Sequence, residues 1–367
     1  MTKRIALISE HASPLTCCLG GVDSGGQNVY VAQVARQLLR LGYRVDVFVR
    51  RQDRVSQPVC EVEEGIRIVH VAAGPPVTLP KEALLPFMAD FTEEVLTYCC
   101  QYEYCLMHAN FWMSGLVASE IKRRLGIPFV ITFHALGRVR ERFRQVEEAF
   151  AHQRTAIEER IVREADRIIA ECPQDEEDLI CLYGAEPERI ALIPCGFDPA
   201  EFWPLTANLA RAALGLDPAE PLLLQLGRLV PRKGMDNGIR ALGRLEHRHG
   251  IRARMLVVGG ESDEPDPVHT PEIARLMAVA EQEGVAGRVR FTGRRERKVL
   301  KYFYNAADLF VATPWYEPFG ITPLEAMACG TPVIGSNVGG IKFTVRDNET
   351  GYLVPPNDPD ALAERIA

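Results

Sequence analysis

Short apolar runs alternate along this chain with longer stretches whose apolar positions recur at helical spacing, and that alternation restricts the fold more than any single residue does. Ile5–Ser9, Val45–Val49, Ile66–Val71, Cys105–His108, Phe129–Phe133, Arg167–Ala170 and Ile190–Ile193 have the content of strands. Helical patterns fill most of the intervals, at Gln27–Leu41, Glu82–Gln101, Trp112–Leu125 and Glu147–Ala165. Strands alternating with helices predict an α/β fold, a parallel sheet covered on both faces. From residue 194 to 221 the text turns rich in Pro, Gly and polar turns and reads as a linker. The alternation then restarts at Leu222–Leu226, Ala253–Val258, Val289–Thr292, Leu309–Ala312 and Pro332–Gly335. At 367 residues the chain has room for two such domains, placed here at 1–200 and 201–367. Two parallel sheets of this kind carry their ligands beyond the carboxyl ends of the strands, which predicts a substrate site in a cleft between the domains.

Composition removes several function classes. Hydrophobic residues make up 47% and charged residues 25%, the mixture of an ordinary folded chain. A net charge of −7 argues against a general nucleic-acid or anionic-membrane binder. No apolar run reaches the roughly 18 residues of a membrane span, and MTKRIALISE leads straight into a strand pattern without a signal-peptide core. None of the ten cysteines forms a CxxC pair, so buried free thiols in a reducing cytosol are expected.

Four motifs fall on strand-to-helix loops. In Gly20–Val31, GGVDSGGQNVYV, Gly25 and Gly26 let the backbone approach a ligand, and the helix behind them offers free N–H groups suited to phosphate. The pattern is not GxGxxG, which argues against a nicotinamide or flavin oxidoreductase. Gly227–Gly234, GRLVPRKG, puts Arg228 and Lys233 directly after a strand, a fork and a point charge able to hold a diphosphate, although most such loops are solvated turns. Glu317 and Glu325 flank a helix start formed by Gly320, Ile321 and Thr322, with Pro323 in the first turn. Two carboxylates around an anion-binding helix start suit a ligand with hydroxyls at both ends and phosphates between. His134, in TFHALG, closes a strand where a donor or an acid–base group would serve, and His108 ends the strand before it. The remaining histidines read as structural. Asp358-Pro-Asp360 matches a metal-binding DxD pattern only formally, and helix capping explains it more simply. The basic run Arg138, Arg140, Arg142 and Arg144 spreads round a helix and reads as mostly solvated.

Taken together, GGQNVYV, HANFW, FHALG, GRLVPRKG and EPFGITPLEAMACGTPVI resemble, in order and along the whole chain, the retaining glycosyltransferases of family 4. These have the GT-B fold, two Rossmann-like domains facing across a cleft; the nearest branch holds sucrose-phosphate synthases, sucrose synthases and inositol-phosphate glycosyltransferases. The resemblance implies transfer of a hexose, glucose from UDP-glucose first, to a sugar, sugar-phosphate or polyol acceptor. GDP-mannose transfer and a non-catalytic nucleotide-sugar binder are the alternatives. It implies that Arg228 and Lys233 bind the donor diphosphate, Glu317 and the Gly320–Thr322 backbone the sugar, and Glu325 the ribose. His134 would meet the sugar near the reacting face, with Gly25 and Gly26 closing over donor and acceptor. The acceptor residues it implies are Asn28, Lys81, Phe111 and Arg154. Phe111 and Ala135 stand where the inositol-phosphate branch has a Tyr and a Thr, so half of that branch's phosphate clamp is missing. The resemblance further implies no required cofactor or catalytic metal, a cytoplasmic enzyme of carbohydrate biosynthesis, no nucleic-acid partner, and compatibility with a homodimer. The leaving phosphate would help deprotonate the acceptor on the same face, since no carboxylate stands out as a covalent nucleophile. Enzymes of this fold usually end in a helix that crosses back onto the first domain; the chain stops at Ala367 as a helix begins, so it is expected either to be a fragment or to lack that closure.

Overall fold

A computed structural model describes residues 3–14, 18–19, 25–142 and 150–367. Residues 20–24 of the first motif, Cys17, Arg144 and the start of the helix expected from Glu147 lie outside the described residues. The chain divides into two compact units, residues 1–16 with 27–194, and residues 17–26 with 195–367.

The first unit is built on an eight-stranded sheet. In chain order come β1 (Arg4–Ile8); β2 (Cys18–Leu19), which belongs with the second unit; α1 (Gly26–Arg40); β3 (Arg44–Arg50); β4 (Val59–Glu63); and β5 (Ile66–Val71). Then follow α2 (Met88–Gln101), β6 (Tyr104–Asn110), α3 (Trp112–Leu125), β7 (Phe129–Thr132), α4 (Gly137–Arg142), α5 (Ala151–Glu164), β8 (Arg167–Ala170), α6 (Pro173–Tyr183) and β9 (Ile190–Leu192). The strand order is β4-β5-β3-β1-β6-β7-β8-β9, parallel except for β4, which runs antiparallel to β5. β4 escapes the sequence pattern because its VCEVE lies at an exposed edge and buries no apolar face. α2 starts later than its periodicity suggests: Pro86 sits in the first turn of a short 3₁₀ segment, Leu85–Phe87, and the regular helix begins only after it.

The second unit holds α7 (Ala207–Leu214), β10 (Leu222–Leu226), α8 (Met235–His249), β11 (Arg254–Val258), α9 (Pro271–Gln282), β12 (Val289–Phe291), β13 (Arg295–Glu296) and α10 (Arg297–Ala306). β14 (Leu309–Ala312), α11 (Ile321–Ala328), β15 (Val333–Ser336), α12 (Ile341–Thr344), β16 (Gly351–Val354) and α13 (Pro359–Ile366) complete it. Its six-stranded sheet runs β12-β11-β10-β14-β15-β16, all parallel. Leu222, Leu224 and Leu226 pack into one core cluster and Leu223 into another, so β10 is buried on both faces. This is why LLLQL reads as a continuous apolar run rather than an alternating one.

Two expectations need correction. The stretch 194–221 is not linker throughout: ANLARAAL forms α7, tied to the second unit where Arg211 donates to the Ala306 carbonyl at 2.9 Å and to Asp308 at 2.8 Å. Its Ala-rich turns have strong helix propensity, which the flanking Pro and Gly residues masked. Nor are the thiols generally buried. Among the described cysteines only Cys172 and Cys329 are buried, while Cys100, Cys105 and Cys181 are exposed. An apolar neighbourhood in sequence does not settle which face a side chain takes. Asp358 does cap α13, its carboxylate accepting the Ala361 N–H at 2.9 Å.

Candidate active site

In the second unit, the loops after β10 and β14 are laced together. The Trp315 N–H donates to the Arg232 carbonyl at 3.1 Å, its indole to the Pro231 carbonyl at 2.8 Å, and Thr313 Oγ1 to the Gly234 carbonyl at 3.0 Å. Gly234 is required here: its φ is +62°, and a Cβ would lie 2.0 Å from the Thr313 carbonyl oxygen. Across this seam Lys233 Nζ forms an ion pair with Glu317, and Arg232 reaches the same carboxylate at 3.3 Å and the Tyr316 carbonyl at 3.1 Å. Burial pushes the Glu317 carboxyl up, but Lys233 and Arg232 outweigh it and hold the group below its ordinary value, so it is anionic. Burial, with the neighbouring charges of Arg232 and Arg228, draws Lys233 down against the pull of Glu317. Arg232 and Lys233 thus share the Glu317 carboxylate, and Arg228 lies close enough for its charge to act on Lys233.

Directly after Glu317 the chain enters α11 through Gly320, which has no side chain to cap the N–H groups of Ile321 and Thr322. A Cβ on Gly339 would lie 1.7 Å from the Glu317 carbonyl oxygen, so that glycine lets the backbone seat against the loop. Gly25 and Gly26 lie in the same unit: a Cβ on the first would be 3.6 Å from Arg228 Cδ, and on the second 3.3 Å from Ile321 Cδ1. Arg228, Lys233, Glu317, Gly320, Ile321, Gly25 and Gly26 are thereby gathered round one charged patch.

Glu325 has other partners. It is 1% exposed, accepts from Arg297 at 2.7 Å and from the Tyr304 hydroxyl at 2.8 Å, and burial raises its carboxyl despite Arg297. Arg297 is in turn bound by Glu201 and stacks over Phe202. Sequence reasoning missed Arg297 and Tyr304, which lie a helix away in α10. It also passed over Arg232, although that residue stood inside the quoted motif.

The first unit gathers polar groups at the carboxyl ends of β6, β7 and β8. His134, at φ +57°, places Nδ1 3.1 Å from Glu171 Oε1 and Nε2 3.2 Å from Asn110 Oδ1. His108 is buried behind it, 2.9 Å from Thr132 Oγ1, and desolvation with the nearby His134 lowers it to about 3, so it stays neutral. Phe111 has φ +87° and ψ 159°, a strained backbone for any residue with a Cβ. Arg154 is almost fully buried. Its guanidinium lies 5.2 Å from the Phe111 ring centroid, donates to Glu158 at 2.7 Å and reaches the Ala135 carbonyl. Glu158 also accepts the Gly137 N–H at 3.0 Å and the Tyr183 hydroxyl. Asn28 is buried and donates to the Ser13 carbonyl at 2.9 Å, while Lys81 pairs with Glu82 at 2.9 Å. No group of three or more His, Cys, Asp or Glu with metal-binding geometry occurs among the described residues, and no described helix is long and apolar enough to cross a membrane.

Two parallel-sheet units with loops of this kind define a GT-B glycosyltransferase. Residues 207–367 match the Glycosyl transferases group 1 family, and residues 25–196 match the Glycosyl transferase 4-like domain. D-inositol 3-phosphate glycosyltransferase 2 of Catenulispora acidiphila is 36% identical across 100% of this chain and 86% of its own length. The D-inositol 3-phosphate glycosyltransferase of Acidothermus cellulolyticus is 38% identical across 99% and 82%. Among solved structures, sucrose-phosphate synthase from Thermosynechococcus elongatus superposes with a TM-score of 0.89 at 36% identity, covering 99% of this chain and 88% of that one. Anabaena HepE in complex with UDP-glucose shares the fold, with a TM-score of 0.75 at 20% identity over 98% and 88%. The chain belongs to this glycosyltransferase family and is a nucleotide-sugar-dependent enzyme.

Proposed function

We propose that the enzyme transfers glucose from UDP-glucose, with retention, to a sugar, sugar-phosphate or polyol acceptor. The observation that carries this reading is the pairing of Arg232 and Lys233 with the Glu317 carboxylate, close to Arg228 and beside the uncapped start of α11. A diphosphate would be drawn to these three cations, and Glu317, kept anionic, would accept from sugar hydroxyls. With three cations at hand to balance the departing diphosphate, no catalytic metal is needed. Glu317 is held by two cations, a poor state for a covalent nucleophile, which favours same-face displacement assisted by the leaving phosphate. Thr322 would add its backbone N–H to the sugar-phosphate site. Glu325 would serve the ribose only by exchanging a present partner. Residues 201–367 would bind donor and residues 1–200 acceptor, with His134 meeting the transferred sugar.

The acceptor reading rests on Asn28, Lys81, Phe111 and Arg154. The relatives named for inositol 3-phosphate and sucrose phosphate support a phosphorylated acceptor. Arg154, however, already spends its Nε on Glu158 and a terminal nitrogen on the Ala135 carbonyl, and Phe111 and Ala135 leave the inositol-phosphate clamp incomplete, which together favour a sugar phosphate or polyol acceptor. We place the reaction in the cytosol, where nucleotide sugars are made and free thiols such as those described here persist.

The test is transfer from UDP-glucose, ADP-glucose and GDP-mannose to a panel of hexose phosphates, inositol phosphate and free polyols, with and without EDTA. Transfer from UDP-glucose that survives chelation, with the product's anomeric configuration retained by NMR, is expected. Transfer from GDP-mannose alone, or inversion, would sink the reading.

A further inference from the structure

His134 differs from every other described histidine in having both ring nitrogens within hydrogen-bond reach of side-chain oxygens, Glu171 Oε1 at Nδ1 and Asn110 Oδ1 at Nε2. The Asn110 amide is oriented by its Nδ2, which donates to the His108 carbonyl at 3.3 Å and the Ile8 carbonyl at 3.5 Å, leaving Oδ1 toward the ring. The Glu171 carboxylate can only accept. Two such contacts on opposite sides of the imidazole fix both its plane and which nitrogen faces Glu171.

Other groups near this ring come from α1, β6 and α6. Tyr30 of α1 meets it edge-on at 4.9 Å, and its hydroxyl is 3.3 Å from Thr132 Oγ1. His108 of β6 is neutral. Asp175 of α6 accepts the Glu171 N–H at 3.0 Å, and burial together with the Glu171 charge raises it to about 7.

We infer that Glu171 is a positioning residue which, with Asn110, holds the His134 ring in fixed orientation, Nδ1 toward Glu171 and Nε2 toward the place a substrate hydroxyl would take. On binding, that hydroxyl replaces Asn110 Oδ1 at Nε2 while Glu171 keeps Nδ1. The inference rests on the reading of His134 as a sugar-facing residue.

Glu171→Gln tests it, because the amide oxygen still accepts from Nδ1 while the charge is gone. NMR titration of the His134 ring in the full chain should show its midpoint fall by about one pH unit or more in the variant. The alkaline limb of the kcat/KM profile with UDP-glucose should move the same way, and Glu171→Asp should recover part of both. An unchanged midpoint in Glu171→Gln overturns the inference. Should that variant fail to fold, Glu171→Asp decides: its midpoint must lie below that of the wild type, and a midpoint at the wild-type position overturns the inference. Full activity in His134→Ala would instead remove the sugar-facing reading, while the NMR midpoint still judges the pair.

Discussion

At the scale of residues, the proposed donor site turns on one carboxylate held by two cations. Among the described residues Glu317 is the carboxylate that pairs with both Lys233 and Arg232, so its removal does two things at once. Glu317→Ala should lower kcat/KM by about 10²–10³-fold, roughly 2.7–4 kcal/mol if its contacts strengthen in the transition state. It should also lower the melting temperature, because Lys233 is left mostly buried without its partner. Glu317→Gln keeps the packing and should retain more stability than activity, a split that steady-state kinetics and calorimetry on the same samples would reveal. Asp175 makes a pH prediction. Its folded pKa, about 7, stands above its unfolded value, so the stabilisation tied to its proton is full below the unfolded value and is lost as pH rises through 7. Asp175→Asn should therefore gain stability relative to wild type between pH 5 and pH 8, measured as the difference in melting temperature; a difference that shrinks over that range would refute the burial argument.

At the scale of elements, loops matter more than the strands that carry them. The strand-end positions of Arg228, His134 and Glu317 were legible in sequence because parallel sheets deliver ligand-binding loops at their carboxyl ends. The lacing of the loops was not. Trp315, Thr313 and Gly234 contribute backbone and side-chain contacts between segments some 80 residues apart, and local patterning carries no information about such pairings. Gly234→Ala should cost about 1–3 kcal/mol of stability from its positive φ and the blocked approach of Thr313, and should lower activity with it. Asp358→Ala should cost about 1 kcal/mol through loss of the α13 cap and leave transfer unchanged, whether or not EDTA is present. Loss of activity there would revive the metal-binding reading of Asp358-Pro-Asp360.

At the scale of the whole molecule, the two units have separate cores, one around Ile5, Leu7, Val45 and Val47, another around Leu224, Leu256 and Phe310. Unfolding need not follow a single two-state transition. UDP at about 100 times its dissociation constant should stabilise the unit carrying Arg228 and Lys233 by about 2.7 kcal/mol, seen as a shift of its calorimetric transition. Arg228→Ala should abolish that shift. A shift with NAD and none with UDP would contradict the nucleotide-sugar reading.

The sequence by itself determined the α/β class, the restart of the sheet near Leu222, and the loops that bear Arg228, Lys233, Glu317 and His134. These follow from periodicity and from the rule that parallel strands present their ligands at one end. The tertiary structure alone decided which charges meet. It gave Glu325 to Arg297 and Tyr304, and His134 to Glu171 and Asn110. A buried ionisable group takes the partner that packing brings within about 3 Å, and that distance is set by the whole fold rather than by neighbours along the chain.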